Sequence, residues 1–319
     1  MTLGAALTAS LLAVLDRPST WALALVGFLV RGGWLVVLAP IVVLPTAVGI
    51  ANVVAPLLED VAFGRNTEDV IRSGGTALTV LLVWLIVGGL LAAATEIETV
   101  RRTAGSAGIR SVQVVPGTNR TWRVLVVRAA ALVPLVVALA WAAIRFVGVG
   151  YRELTNPSDV AMPVAVRIVL GAPDAVLAIL ATWLFSEIVG AVAARRIVLA
   201  GDGVRLAFGR GVATLRARPA RAIGLAALSA LGLLTVVGIT AIATGTTWDA
   251  LRSALADGDA SIGTSLILVL FVGSFAAGLV LIGLVSAWRS SLWTVDVLAD
   301  GDAGADGTFG GGGETRSGD

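Results

Sequence analysis

Four charged residues fall where membrane-spanning segments would carry them: Arg31, Arg128, Asp174 and Glu187. A charge in the hydrocarbon interior costs about 2.5–3.5 kcal/mol on insertion scales, so each needs a partner, a wet cleft or an escape to the interface. Arg128 lies about six residues from the cytoplasmic end of one apolar run, and Glu187 lies about as far from the same end of another. At about 1.5 Å per residue the two share a depth. Three uses fit them. They pair and hold two helices together, or Arg128 snorkels to the headgroups while Glu187 bonds locally, or they form a polar point in a transport path. Arg31 has Gly32-Gly33 beside it. If the fourth span begins near Pro163, Asp174 reaches the depth of Arg31 and the two meet near the midplane, where transporters built from discontinuous helices hold substrate. If it begins at Pro173, Asp174 is an interfacial acid in a first helical turn. Proline suits that first turn and an early acid suits the helix dipole, which favours the second register. Arg145 and Arg167 lie near the outer interface and read as snorkelling residues.

A second candidate is the basic segment 201–218. Val204, Phe208, Val212 and Leu215 recur at helical spacing, with Arg205, Arg210, Arg216 and Arg218 around them. A basic amphipathic helix of this kind lies on an anionic leaflet, gaining about 1 kcal/mol per basic residue near the surface. The plainer reading is that a cytoplasmic loop is arginine-rich merely to set topology.

Much chemistry is excluded. The chain has no histidine, lysine or cysteine. It therefore lacks an imidazole base, a Ser–His dyad, an HExxH zinc site, a thiol nucleophile, a Walker A lysine and a Schiff base. Two facing intramembrane aspartates are missing too, since only Asp174 is a candidate. No catalytic residue, metal or cofactor is expected, and the chain is expected not to be an enzyme.

The elements that position these residues follow from hydropathy. Of 319 residues, 57% are hydrophobic and 14% charged, against about 45–50% and about 25% in an ordinary globular domain. Several runs exceed the roughly 18 apolar residues that cross a bilayer. The fold class is an all-α integral membrane protein with about six transmembrane helices, short amphipathic interfacial helices and a disordered C-terminal tail. The spans are placed at about 20–44, 74–95, 122–147, 173–194, 222–246 and 265–287. Residues 3–15 read as a short amphipathic helix, and 46–58 as a surface helix or a re-entrant one. Residues 1–298 form the membrane domain, and the acidic, glycine-rich 299–319 is expected to be disordered. Small-residue spacings at Gly88-Gly89 and Ser274–Gly278 mark close helix contacts.

Arginine sets the orientation. One precedes the first span, five lie between the second and third, seven between the fourth and fifth, and two follow the sixth. The opposite loops hold only Arg65, Arg72, Arg152 and Arg252. Both termini are therefore expected to be cytoplasmic. Trp21, Trp122, Trp288 and Trp293 fall together at that interface, as amphipathic rings should.

Ala194-Arg195-Arg196, Gly201, Gly209-Arg210-Gly211 and Arg218-Pro219 resemble the linker of a broad set of prokaryotic six-span proteins. These are similar to the membrane domain attached to some glycerophosphodiester phosphodiesterases. The likeness covers about residues 175–295 and implies a six-helix membrane fold of undefined activity, with no phosphodiesterase domain and no catalytic residue carried over. The expectation is a multi-pass protein of a prokaryotic cell membrane, acting as a non-enzymatic scaffold or accessory component. Its partners would be membrane lipids and other membrane proteins or a second copy, not nucleic acid. The alternative is a transporter or permease subunit that uses the intramembrane charges.

Overall fold

The computed structural model describes residues 3–42, 67–106, 119–159, 161–257 and 262–305. Every regular element among them is helical: α1 Leu3–Leu15, α2 Ser19–Phe28, α3 Trp34–Leu38, α4 Thr67–Ser106, α5 Arg120–Thr155, α6 Val164–Leu170, α7 Pro173–Ala200, α8 Val204–Ala217, α9 Pro219–Ala256 and α10 Ile262–Ala305. Six stretches are long and apolar enough to cross a bilayer: Ser19–Leu38, Gly74–Ser106, Arg120–Thr155, Pro173–Ala200, Pro219–Ala256 and Ile262–Asp300. The chain is an all-α, multi-pass membrane protein. The helix or re-entrant segment expected at 46–58 lies outside the described residues.

Proline and glycine punctuate these elements as their backbones require. Pro18 and Pro163 precede α2 and α6, while Pro173 and Pro219 open α7 and α9. Proline lacks the N–H that a first helical turn leaves unbonded anyway. The fourth span therefore starts at Pro173, and 164–170 is a separate short helix. Gly201 ends α7 at φ 73°, a left-handed conformation that costs glycine least. In the first span a π-helical turn at Leu29–Gly33 separates α2 from α3, and Gly32 sits inside it at φ 100°.

The last two helices have 38 and 44 residues. At about 1.5 Å per residue they measure roughly 57 and 66 Å, about twice the hydrocarbon thickness. α10 continues through Ala305, so 299–305 of the expected disordered tail belong to the last helix.

The chain divides into two compact units. One comprises Met1–Ala13, Val100–Ala230 and Ser291–Asp319; the other comprises Val14–Thr99 and Leu231–Ser290. The first is built around α7, which packs along α5 and carries α8; α5 also meets α6. From Ser186 to Val198, α7 is buried at every position except Glu187 and Arg196. Small residues there (Gly190, Ala191, Ala193, Ala194) let neighbours approach on several faces. α5 answers with one stripe, Val124, Val127, Ala131, Ala138 and Ala142. A smaller cluster of Ala142, Val149, Ala172 and Ala175, with Phe146, Ile168 and Ile179 against it, seats α6. Trp293 is only 1% exposed, so it fills this unit's interior and does not join an interfacial aromatic belt.

In the second unit the helices touch through glycine and small hydroxyls. Gly278 lies against Thr240, a methyl at Gly283 would lie 2.9 Å from the Trp21 carbonyl oxygen, and a methyl at Gly88 would lie 3.3 Å from Val30. The Thr247 and Ser274 hydroxyls are 3.2 Å apart. The contacts expected at Gly88 and Ser274–Gly278 are present.

Candidate functional site

Within the second unit, α2, the π turn and α3 run antiparallel to α4. The register is set by four contacts. A methyl at Gly27 would lie 2.8 Å from Thr95 Oγ1, and one at Gly88 would lie 3.3 Å from Val30. Arg31 Nη2 donates to the Ala92 carbonyl at 3.4 Å, and the Trp34 and Trp84 rings meet edge to face at 6.4 Å. This register places Glu96 opposite Arg31. Nη2 of Arg31 donates to Glu96 Oε2 at 2.6 Å. The pair is lopsided in burial, with the Glu96 side chain 4% exposed and that of Arg31 48% exposed.

The sequence reading missed Glu96. Its second span ended at Thr95 because the next residue is charged. The charge lies inside the span, and α4 continues to Ser106. Ile97, Thr99 and Val100 continue beyond it, but Glu98, Arg101 and Arg102 are interspersed, so no uninterrupted apolar run marks the extension.

The other candidate charges lie in the first unit, and the Pro173 start makes Asp174 an acid of the first helical turn. Asp174, in the first turn of α7, accepts from Arg145 Nε at 3.0 Å and from Arg145 Nη2 at 2.9 Å. Arg31 and Asp174 therefore each have a different partner from the one that the Pro163 register required. Arg128 reaches across the face of α7: a methyl at Gly190 would lie 3.0 Å from its Nη1. Glu187 lies one turn before Gly190, both charges are half-buried, and neither is without a partner. Arg167 does not stand alone. Its Nη1 donates to Glu153 Oε2 at 3.2 Å, and the same carboxylate accepts from the Ser158 backbone N–H and hydroxyl at 3.0 and 2.8 Å.

The basic segment forms α8, seated on α7. A methyl at Gly211 would lie 2.9 Å from the Val189 carbonyl oxygen, so the helices cross backbone to backbone there. Ala207 and Gly211 are buried; Val204, Phe208, Val212 and Leu215 flank them half-buried, and Phe208 meets Phe185 of α7 edge to face. The apolar stripe is thus turned partly toward α7. Arg205, Leu206, Gly209, Arg210 and Arg216 face outward. Gly203, Val204, Arg205, Leu206, Gly209 and Arg210 border a shallow open hollow.

The arginines of this segment divide by partner. Arg210 Nη1 donates to Asp202 at 2.8 Å, and Arg218 pairs with Asp300. Arg221 Nε donates to Asp296 Oδ1 at 2.8 Å. The side chains of Arg205 and Arg216 pair with no described residue. The sequence reading also missed Asp296, and it placed Arg195 in the loop after the fourth span. Asp296 is 4% exposed and Arg195 is 2% exposed, with Arg195 Nη1 donating to the Ala191 carbonyl at 3.0 Å. Both lie on helices that outrun their predicted spans, α10 past Ala287 and α7 past Ala194.

No protein-family model, curated protein or solved structure matches the chain.

Proposed function

We propose that this protein is a non-enzymatic accessory or scaffold component of a prokaryotic cell membrane, with both termini cytoplasmic, that holds anionic phospholipid against α8. The observation that carries this reading is the outward face of α8, where Arg205 and Arg216 lack acidic partners among the described residues and Arg205 lies beside exposed Leu206. Because Gly211 and Phe208 fix the helix on α7, this face is presented rigidly. A guanidinium beside an apolar step fits a phosphate headgroup and the start of its acyl chain. The arginine asymmetry supports an α8 that lies at the anionic cytoplasmic leaflet. The likeness of residues 175–295 to six-span membrane domains is in keeping with this architecture and adds no activity.

The test is lipid retention. Protein reconstituted in mixed nanodiscs of phosphatidylglycerol and phosphatidylcholine should enrich phosphatidylglycerol, and Arg205→Gln with Arg216→Gln should weaken that preference about 10- to 30-fold, at ~1 kcal/mol per arginine. An unchanged preference in the double variant would overturn the reading.

One observation favours the alternative, a transporter subunit. The first span is broken at the residue that carries its charge, and discontinuous helices with intramembrane charge are how transporters build solute sites. Solute-dependent stabilisation of the purified protein, without a protein partner, would support it.

A further inference from the structure

The half-exposure of Arg31 needs an explanation that lipid binding at α8 does not supply. Within the span Ser19–Leu38, Arg31 lies twelve residues after Ser19 and seven before Leu38, so about 10 Å of helix separates it from the nearer end. A guanidinium is costly there, because lipid tails do not solvate it. Glu96 takes up only part of it. Both hydrogen bonds of Arg31 use Nη2, one to Glu96 and one to the Ala92 carbonyl; Nε and Nη1 donate to no described residue. A guanidinium has five N–H donors in a planar fork matched to carboxylate and phosphate.

The backbone beside it is equally unusual. The π turn at Leu29–Gly33 and the positive φ of Gly32 interrupt the helix at Arg31, and a methyl added at Gly32 would meet nothing within 4 Å. Irregular backbone at membrane depth is tolerated only where it is buried in protein or lines a water-filled cavity. A charge that is half exposed here points to the cavity. Glu96 is nearly inaccessible, so it meets Arg31 from the protein side and leaves the remaining donors to the exposed side.

We propose that Arg31 binds a soluble oxyanion, a carboxylate or a phosphate, in a water-filled cleft at the break of the first span, with Glu96 holding the guanidinium and competing for its charge. This holds whether or not the anion is carried across the membrane, and it is independent of lipid binding at α8.

The experiment is an anion titration of the full chain in phosphatidylcholine nanodiscs, at constant ionic strength, with sodium phosphate and sodium acetate as probes. The readouts are thermal unfolding and tryptophan emission, since Trp34 lies three residues from Arg31. A saturable response to at least one anion is expected, absent in Arg31→Gln. Glu96→Gln should bind about tenfold tighter, because the competing carboxylate is gone. If Arg31→Gln does not fold, Arg31→Lys, which keeps the charge without the fork, should respond more weakly than wild type. No response to either anion in wild type would overturn the proposal, as would Glu96→Gln binding no tighter. A response that appears only when phosphatidylglycerol replaces phosphatidylcholine would assign the site to lipid and also overturn it.

Discussion

At the scale of residues, the chain handles charge by pairing acids with arginines from neighbouring helices. The buried Glu96 and Asp296 meet Arg31 and Arg221, and the exposed Asp174 meets Arg145. Removing Arg31 leaves the Glu96 carboxylate without its 2.6 Å partner. Breaking a fully buried pair costs about 3–5 kcal/mol, and the half-exposed guanidinium lowers that, so Arg31→Gln should lose on the order of 2–3 kcal/mol in unfolding experiments. Arg128 and Glu187 approach one face of α7 within a turn of each other. If they interact, Arg128→Met and Glu187→Gln should couple by about 0.5–3 kcal/mol in a double-mutant cycle, while strictly additive effects would exclude the interaction. The four charges were legible as residue types that need partners. Their partners were not, because pairing depends on helix register. Glu96 shows the difficulty: a charge ends an apolar run in the sequence, yet the Trp34–Trp84 and Gly27–Thr95 contacts draw it one turn into the span.

At the scale of elements, glycine decides how closely helices pass and where one breaks. Gly211→Ala would push a methyl against the Val189 carbonyl oxygen and Cα, at 2.9 and 3.2 Å. Backbone cannot swing aside as a side-chain tip can, so a loss of about 1–3 kcal/mol is expected by thermal unfolding. Gly32 and Gly209 form a contrast, since a methyl at either meets nothing within 4 Å. At Gly32 the left-handed φ makes alanine cost about 1–3 kcal/mol. At Gly209, an ordinary helical position, alanine should stabilise by up to ~1 kcal/mol. Equal effects at the two sites would contradict the π turn with its left-handed Gly32. The break at Arg31-Gly32-Gly33 was legible, as was the start of α7 at Pro173, because proline and glycine act locally. The direction of the α8 stripe was not, because an apolar face facing a neighbouring helix has the same periodicity as one facing lipid.

At the scale of the whole molecule, six apolar helices make a multi-pass membrane protein, and hydropathy alone carried that much. Orientation rests on arginine, fifteen on one side of the spans and four on the other. It decides whether α8 faces the anionic leaflet, so lipid binding depends on it. The most direct measurement uses the natural absence of cysteine: single cysteines at Ala213, on the outward face of α8, and at Ser158, in the opposite loop, each treated with an impermeant maleimide. Ser158→Cys should label in intact cells and Ala213→Cys only after lysis. Labelling of Ala213→Cys from outside would contradict the orientation, and with it the placing of α8 on the anionic leaflet.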